Sequence, residues 1–471
     1  MTLSNIPCSM IRRATVLAAA SLLAACASMA PNYERPAPPV AATWPHDATT
    51  EGAPAASDIE WQSFFPDPRL RELIALALQG NRDLRVAVLG IEQARAQYQI
   101  RRADELPAVG AQVNASRAPA AGGRLVNTFS AGLAANAWEI DFFGRIRSLS
   151  DAALAQYLAT EEGRKAAQIS LVAAVANSWL NIVADEDLLA LTRQTLTTRQ
   201  ESLRLARLRF ENGVTSELDF RQAESLTESA RVTLAQLLRQ RALDENALVL
   251  LVGQPLPAAA MPGAGIDQVS LPELPAGAPS DLLARRPDIR QSEQQLVAAN
   301  ANIGAARAAF FPRIALTAAV GTASSELSGL FKSGSFGFTL APNLLLPLFD
   351  AGRNRAGLQS ATVSRDIAIA QYEKSIQSAF REVADVLAGR ATLLDQLQAQ
   401  RAVAAAESVR LRLSDLRYTN GVASYLDLLD AQRSLFAAQQ ALVQTRLAQL
   451  QSQIALYKAL GGGWTEASAT R

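Results

Sequence analysis

The sequence predicts a mainly α-helical fold that also carries a membrane β-barrel, built from two tandem repeats of helix, β-hairpin, long helix and helix. Three observations carry this expectation: two long proline-free blocks, a switch of hydrophobic period within each half, and ordered matches between the halves. No proline lies between Pro119 and Pro255, and none follows Pro347. A proline inside a helix costs about 3 kcal/mol, so very long helices fit in these gaps. Val175, Ile182, Leu189, Leu196, Leu203 and Phe210 recur at heptad spacing, while Ile369, Tyr372, Ile376, Phe380, Val383, Leu387 and Leu394 follow spacings of three and four. The stripe is narrow and the remaining face bears Arg, Gln, Thr and Glu, which suits a coiled-coil wall wetted on at least one side. The first block admits a helix over residues 145–212, about 100 Å long at 1.5 Å per residue. A shorter return helix is expected over 216–252.

The halves match at a fixed offset. Arg209-Phe-Glu-Asn-Gly-Val-Thr-Ser-Glu-Leu-Asp219 aligns with Arg417-Tyr-Thr-Asn-Gly-Val-Ala-Ser-Tyr-Leu-Asp427, 208 residues on, as do Gly144-Arg145 with Gly352-Arg353 and Gly253 with Gly461. Upstream, Asp83-Leu84-Arg85 pairs with Asp288-Ile289-Arg290 and Leu106-Pro107 with Phe311-Pro312. The resulting division is a repeat over 71–254 with its hairpin at about 107–142, a Pro-rich linker over 255–287, and a repeat over 288–461 with its hairpin at about 312–349. A tail, 462–471, closes the chain. Residues 71–103 and 288–310 read as helical.

Between those helices the period becomes two. Val109, Ala111, Val113 and Ala115, then Phe129, Ala131, Leu133 and Ala135, alternate with polar or small neighbours. Ile314, Leu316, Ala318 and Val320, then Phe336, Phe338, Leu340, Leu344, Leu346 and Leu348, do the same. Each hairpin therefore has one apolar face. Strands of this length can span a bilayer or half-bury in a soluble core. An open sheet in lipid leaves edge N–H and C=O groups without partners. If these strands enter a membrane, several copies must close the barrel, and three copies supply twelve strands.

The amino terminus reads as an address. Arg12 and Arg13 precede an apolar run too short to span a membrane as a helix, which marks residues 1–25 as a signal peptide. Leu23-Ala24-Ala25-Cys26 resembles the bacterial lipobox, implying a covalent N-terminal lipid on Cys26, and Ala27 in place of Asp implies outer-membrane sorting. Residues 26–70 read as an N-terminal extended segment.

Composition narrows the function. Lys+Arg 45 against Asp+Glu 44 gives no basic field for nucleic acid. His46 is the single histidine, which excludes Ser–His–Asp and Cys–His catalysis and a His-rich metal site. No Gly-rich phosphate loop or Cys/His cluster occurs, and no scaffold brings two carboxylates together for glycoside hydrolysis. No enzyme, resident cofactor or metal is expected. A lipid-anchored periplasmic coiled-coil scaffold without a pore stays open as an alternative, although it leaves the apolar hairpin faces unexplained.

Ser280-Asp-Leu-Leu-Ala-Arg-Arg-Pro-Asp-Ile-Arg290, Ala305-Ala-Arg-Ala-Ala-Phe-Phe-Pro312, Trp61…Phe64-Phe65-Pro66-Asp67-Pro68, Asn420-Gly-Val-Ala-Ser-Tyr-Leu-Asp-Leu-Leu-Asp-Ala-Gln-Arg433 and Leu456-Tyr-Lys-Ala-Leu-Gly-Gly-Gly-Trp464 resemble the TolC-like outer-membrane efflux factors, OprM/NodT lipoprotein branch. The resemblance runs from the lipobox to Trp464. It implies a homotrimer with a twelve-stranded outer-membrane barrel continuous with a periplasmic α-helical tunnel. Such a duct passively conducts drugs or other small molecules from an inner-membrane RND-type pump and a periplasmic adaptor.

Two turns carry the candidate site. Gly213 and Gly421 are placed to take positive φ and end the long helices. Ser216 and Ser424 suit N-caps, with Asp219 and Asp427 at the third position beyond. Asp427, Asp430 and Arg433 share one helix face, and at offset 208 Asp430 and Arg433 have only Gln222 and Ser225 as counterparts. The resemblance places a closed periplasmic entrance here, with Leu426 as a hydrophobic plug and Asp427 and Asp430 as acidic rings. In a trimer the shared face also sets Arg433 in a guanidinium ring, and an exposed salt-bridge ladder stays open as the alternative reading of these charges.

Overall fold

The structure, a computed structural model, describes residues 28–44, 59–119, 121–275 and 285–464. The signal peptide, Cys26, His46 and the start of the Ser280 motif lie outside the described residues. The chain divides into two compact units, the first comprising residues up to Pro38, Leu89–Glu162 and Gln291–Lys374, the second the rest. Its elements are α1 (Trp61–Phe64), α2 (Pro68–Gly80), α3 (Arg82–Ala103), β1 (Val109–Pro119), β2 (Leu125–Glu139), α4 (Arg145–Glu211), α5 (Glu217–Val252), α6 (Pro287–Ala308), β3 (Arg313–Ser324), β4 (Phe336–Leu345), α7 (Arg353–Thr419) and α8 (Tyr425–Ala459). The expected order of two helix–hairpin–long helix–helix repeats is therefore present.

The first unit holds an antiparallel sheet in the order β1-β2-β3-β4, so the two hairpins pair side by side. Directly opposed residues share a face, and the register runs Ala111 to Leu133 to Val320 to Phe338 across all four strands. That face is apolar and open, with Phe338 82% exposed. One step along, Gln112, Gly132, Gly321 and Gly337 form the opposite face, which is polar and small. The register slips between Ala135 and Trp138, where Ala137 has φ 51° and donates its N–H to Thr317 Oγ1 at 3.1 Å. β4 ends at Leu345, before the expected Leu346 and Leu348, because its partner there, Arg313, is the first residue of β3 and the ladder runs out.

Beside the sheet, α4 and α6 approach through Ala152, Ala155, Ala298 and Ala301, whose small side chains permit close helix contact. Glu139 takes two hydrogen bonds from Arg145, at 2.8 and 2.7 Å, and an ion pair from Arg313 at 3.3 Å, fastening the end of β2 to the start of α4. The N-terminal segment is docked: Arg35 grips Glu293 at 2.7 and 2.8 Å, Tyr33 donates to the same carboxylate at 3.0 Å, and Asn300 donates to the Pro31 carbonyl oxygen at 2.7 Å.

The second unit has an aromatic and aliphatic core. Phe64 stacks on Tyr457 at 4.1 Å between centroids, Phe65 meets the same ring edge-on, and the Tyr457 hydroxyl donates to the Ile59 carbonyl oxygen at 2.6 Å. The expected extended segment thus contains α1 and the start of α2, which Asp67 caps by accepting from the Arg69 and Leu70 N–H groups at 2.8 and 3.3 Å. The expected single helical stretch over 71–103 is broken at Asn81. Its Nδ2 donates to the Leu251 carbonyl oxygen at 2.9 Å while its Oδ1 accepts from Leu84 N–H at 2.9 Å, so one side chain caps α3 and anchors α5.

Heptad residues Val175, Ile182 and Leu189 of α4 are buried, whereas Phe210 near its end is exposed. α4 contains an 18-residue stretch apolar enough to cross a membrane, but 67% of that stretch is buried within the protein, as expected of a core helix. The described part of the Pro-rich linker is fixed to the helices rather than free. Ile266 N–H donates to Asp187 at 2.7 Å, and Arg390 and Arg446 donate to the carbonyl oxygens of Leu274 and Val269 at 2.8 and 2.6 Å. Pro287 opens α6 instead of ending the linker, at the position where a missing N–H costs nothing. Arg286, buried beside it, reaches Asp288, Glu382 and the Ala459 carbonyl oxygen at 2.6, 2.9 and 2.8 Å.

Asp185 on α4 is buried, its Oδ2 has no donor, and burial together with the nearby Asp244 carboxyl pushes its pKa up to about 7. A carboxyl raised in the folded state contributes fully below its unfolded value, near 4, and loses that contribution as pH rises through its folded value. The apparent Tm of the detergent-extracted protein is therefore expected to fall as pH is raised through about 7, and Asp185→Asn is expected to flatten this slope. Circular-dichroism melts across the pH series check it; identical slopes in both proteins would refute the assignment.

Candidate functional site at the turns between the long helices

The α4–α5 and α7–α8 turns are built alike. Gly213 and Gly421 have φ 69° and 72°, the left-handed conformation in which a side chain is strained. The N–H of Val214 reaches the Arg209 carbonyl oxygen at 2.8 Å and that of Val422 the Arg417 carbonyl oxygen at 2.9 Å, closing both helix ends. Asn212 and Asn420 add a second closure, donating Nδ2 to the Leu208 and Leu416 carbonyl oxygens at 2.7 and 2.6 Å.

The return helices begin on their serines. Ser216 Oγ accepts from Asp219 N–H at 3.2 Å and Ser424 Oγ from Asp427 N–H at 3.3 Å. The caps then diverge. Asp427 accepts from the Ser424 N–H and hydroxyl at 3.1 and 2.9 Å, completing a capping box, whereas Asp219 accepts from Thr215 Oγ1 at 2.6 Å. Repeat two has Ala423 where repeat one has Thr215, so Asp427 has no such hydroxyl and turns to its own cap.

Asp430 and Arg433 form the centre of a charge network confined to repeat two. Asp430 accepts from Arg433 at 2.5 Å and from Arg410 of α7 at 2.5 Å, and these two guanidinium groups hold its carboxyl below the ordinary carboxylate range. Arg410 also reaches Glu407 at 3.1 Å and Ser434 at 3.2 Å. The sequence reading missed Arg410; only its place on the helix leading into the turn signals that it returns beside Asp430. Its repeat-one counterpart is Ser202, so that half lacks every charge of the Arg410–Asp430–Arg433 set. Leu426 is 54% exposed one position before Asp427, and Val422 is exposed in the turn.

The two turns also touch. Arg209 hydrogen-bonds the Tyr418 hydroxyl and lies 5.2 Å from the Tyr418 ring centroid, and Tyr418 meets Tyr425 at 5.2 Å. A groove of about 430 Å³ runs between the helix pairs, lined by Leu205, Arg209, Asp219, Arg412 and Tyr425 among others. Burial pushes the Tyr425 hydroxyl up to about 12, and it has no hydrogen-bond partner. Among the described residues no group of three or more His, Cys, Asp or Glu is placed to hold a metal.

Comparison with known proteins agrees with this architecture. The outer membrane efflux protein family model matches residues 73–254 and 278–462, one segment per repeat. The toluene efflux pump outer membrane protein TtgC of Pseudomonas putida is 46% identical over 458 residues, spanning 95% of this chain and 94% of that protein. Outer membrane protein OprJ of Pseudomonas aeruginosa is 46% identical over 460 residues, spanning 96% of each. The open-state MtrE outer membrane channel of Neisseria gonorrhoeae superposes with a TM-score of 0.87 at 42% identity, over 94% of this chain and 100% of that one. This chain belongs to the outer membrane efflux protein family, as an outer-membrane exit duct for efflux.

Proposed function

We propose that three copies of this chain close a twelve-stranded barrel and act as the passive exit duct of a tripartite system, fed by an inner-membrane RND-type pump through a periplasmic adaptor. One observation carries the trimer: a four-stranded sheet with an apolar outer face ends in two edges, β1 and β4, that no described strand pairs. Unpaired backbone groups cost several kcal/mol each in hydrocarbon, so the sheet enters lipid only when other copies cap its edges. The pore-less scaffold is not retained, because it leaves the apolar face without a role in a family of channels. That family is non-enzymatic in kind, so transport energy comes from the pump. Drugs and apolar solvents fit as cargo, supported by the toluene efflux role in the name of a near-half-identical relative. The groove between the helix pairs, with apolar lining and charges of both signs, offers the adaptor a surface.

At the turns, Leu426, Asp427, Asp430 and Arg433 form the periplasmic gate. In a trimer the exposed Leu426 side chains meet near the axis, and Arg410, Asp430 and Arg433 set the position of α8 against α7. Replacing both Asp430 and Arg433 by alanine is expected to raise single-channel conductance several-fold in planar bilayers and to admit large antibiotics to cells. Conductance and drug entry equal to wild type would refute the gate; absence of any conductance from the wild-type protein would refute the duct.

Cys26 carries the N-terminal lipid in this reading, and with it the protein has two holds on the membrane. Radiolabelled palmitate is expected to appear in the wild-type protein and to be lost in Cys26→Ser, while the variant barrel stays in the outer-membrane fraction. Equal labelling of both proteins would contradict lipidation at this residue.

A further inference from the structure

The apolar face of the sheet changes character at one end. It runs along β1 as Val109, Ala111, Val113 and Ala115, with Phe129 opposite Ala115 on β2 and Phe336 level with Val113 on β4. All four neighbouring helices join the sheet at its Val109 end, so both hairpin turns lie at the other. There the next residue of the same face of β1 is Arg117, opposite Asn127. Arginine on a lipid-facing strand is costly at the bilayer midplane and tolerated near the interface. Arg117 therefore marks the outer limit of the apolar band, just above Phe129 and Phe336.

The turns add Arg124 and Lys332 against one acid, Glu326. Arg117, Arg124 and Lys332 are exposed, and among the described residues none makes a side-chain hydrogen bond or ion pair. Charges at the helix end are answered within the chain instead. Glu139 holds Arg145 and Arg313, Asp141 accepts from the Arg145 and Arg147 N–H groups, and Asp350 from those of Gly352 and Asn354. Beside the unanswered cations stand exposed apolar side chains: Leu125, Leu327 and, 80% exposed, Phe331.

Cations next to apolar side chains, at the edge of a hydrocarbon-facing band, match a molecule with an anionic head and an apolar body. A phosphate monoester carries a charge of about −1.5 to −2, and its oxygens suit the paired donors of a guanidinium. A free anion would leave the apolar residues unused.

We propose that this rim binds the phosphate groups of an outer-leaflet phosphoglycolipid through Arg117, Arg124 and Lys332, with the acyl chains lying along the row that holds Phe129 and Phe336. The inference rests on the barrel crossing the outer membrane with its turns outward, and it does not depend on the gate.

Lipid A is the probe. Delipidated full-length protein in non-ionic detergent with EDTA is titrated with diphosphoryl lipid A, or with lipid A stripped of both phosphates, and bound lipid is counted by native mass spectrometry. The wild type is expected to prefer the phosphorylated lipid by roughly tenfold or more, and Arg117→Gln with Arg124→Gln and Lys332→Gln to abolish the preference. Should the triple variant fail to assemble, Arg117→Gln alone is expected to reduce the preference. Millimolar inorganic phosphate is expected to leave lipid binding unchanged. No preference in the wild type, an undiminished preference in the variants, or displacement of the lipid by inorganic phosphate would overturn the proposal. Bilayer conductance of the same preparations tests the duct separately, so a failed duct and a failed lipid site give different results.

Discussion

Backbone hydrogen bonding at the two edges of one sheet governs the rest of this molecule. β1 and β4 present N–H and C=O groups outward, and the face beside them is a row of apolar side chains from Ala111 to Phe338. In water that row would aggregate, and in lipid the edges would stand unsatisfied. Association of identical chains resolves both costs, since each β4 edge can meet a neighbouring β1 edge. The proposed trimer satisfies the backbone in this way, with the long helices carried along by the same assembly.

Duplication explains the symmetry of the chain, and divergence explains its chemistry. Both turns keep the Asn-Gly end and the serine cap because each half must reverse a helix of 67 residues in the same few steps. The charges did not stay equal. Repeat two holds a set in which Arg410, Asp430 and Arg433 satisfy one another, while repeat one has Ser202, Gln222 and Ser225 in their places. A single substitution such as Ala423 for Thr215 is enough to redirect a carboxylate, so that Asp427 completes a capping box and Asp219 does not.

Much of this was legible in the sequence because it is local. The ends of α4 and α5 follow from Gly213 and Ser216, whose preferences act within a turn, and the strands follow from alternation at period two. What was not legible depends on distant contacts. The break at Asn81 is fixed by a carbonyl 170 residues away, and the docking of the 255–275 segment by Asp187, Arg390 and Arg446. Within the site, the face shared by Asp427, Asp430 and Arg433 was readable from spacing. Arg410 was not, because its partner lies across a helix reversal. Nor did spacing separate the cap-bound Asp427 from Asp430, whose carboxylate pairs with two arginines.

Native mass spectrometry of the protein extracted from outer membranes tests the central claim most directly, by counting chains in the particle that conducts in bilayers. Closure of β1 and β4 by sister chains predicts three. A conducting particle of one chain would contradict the account.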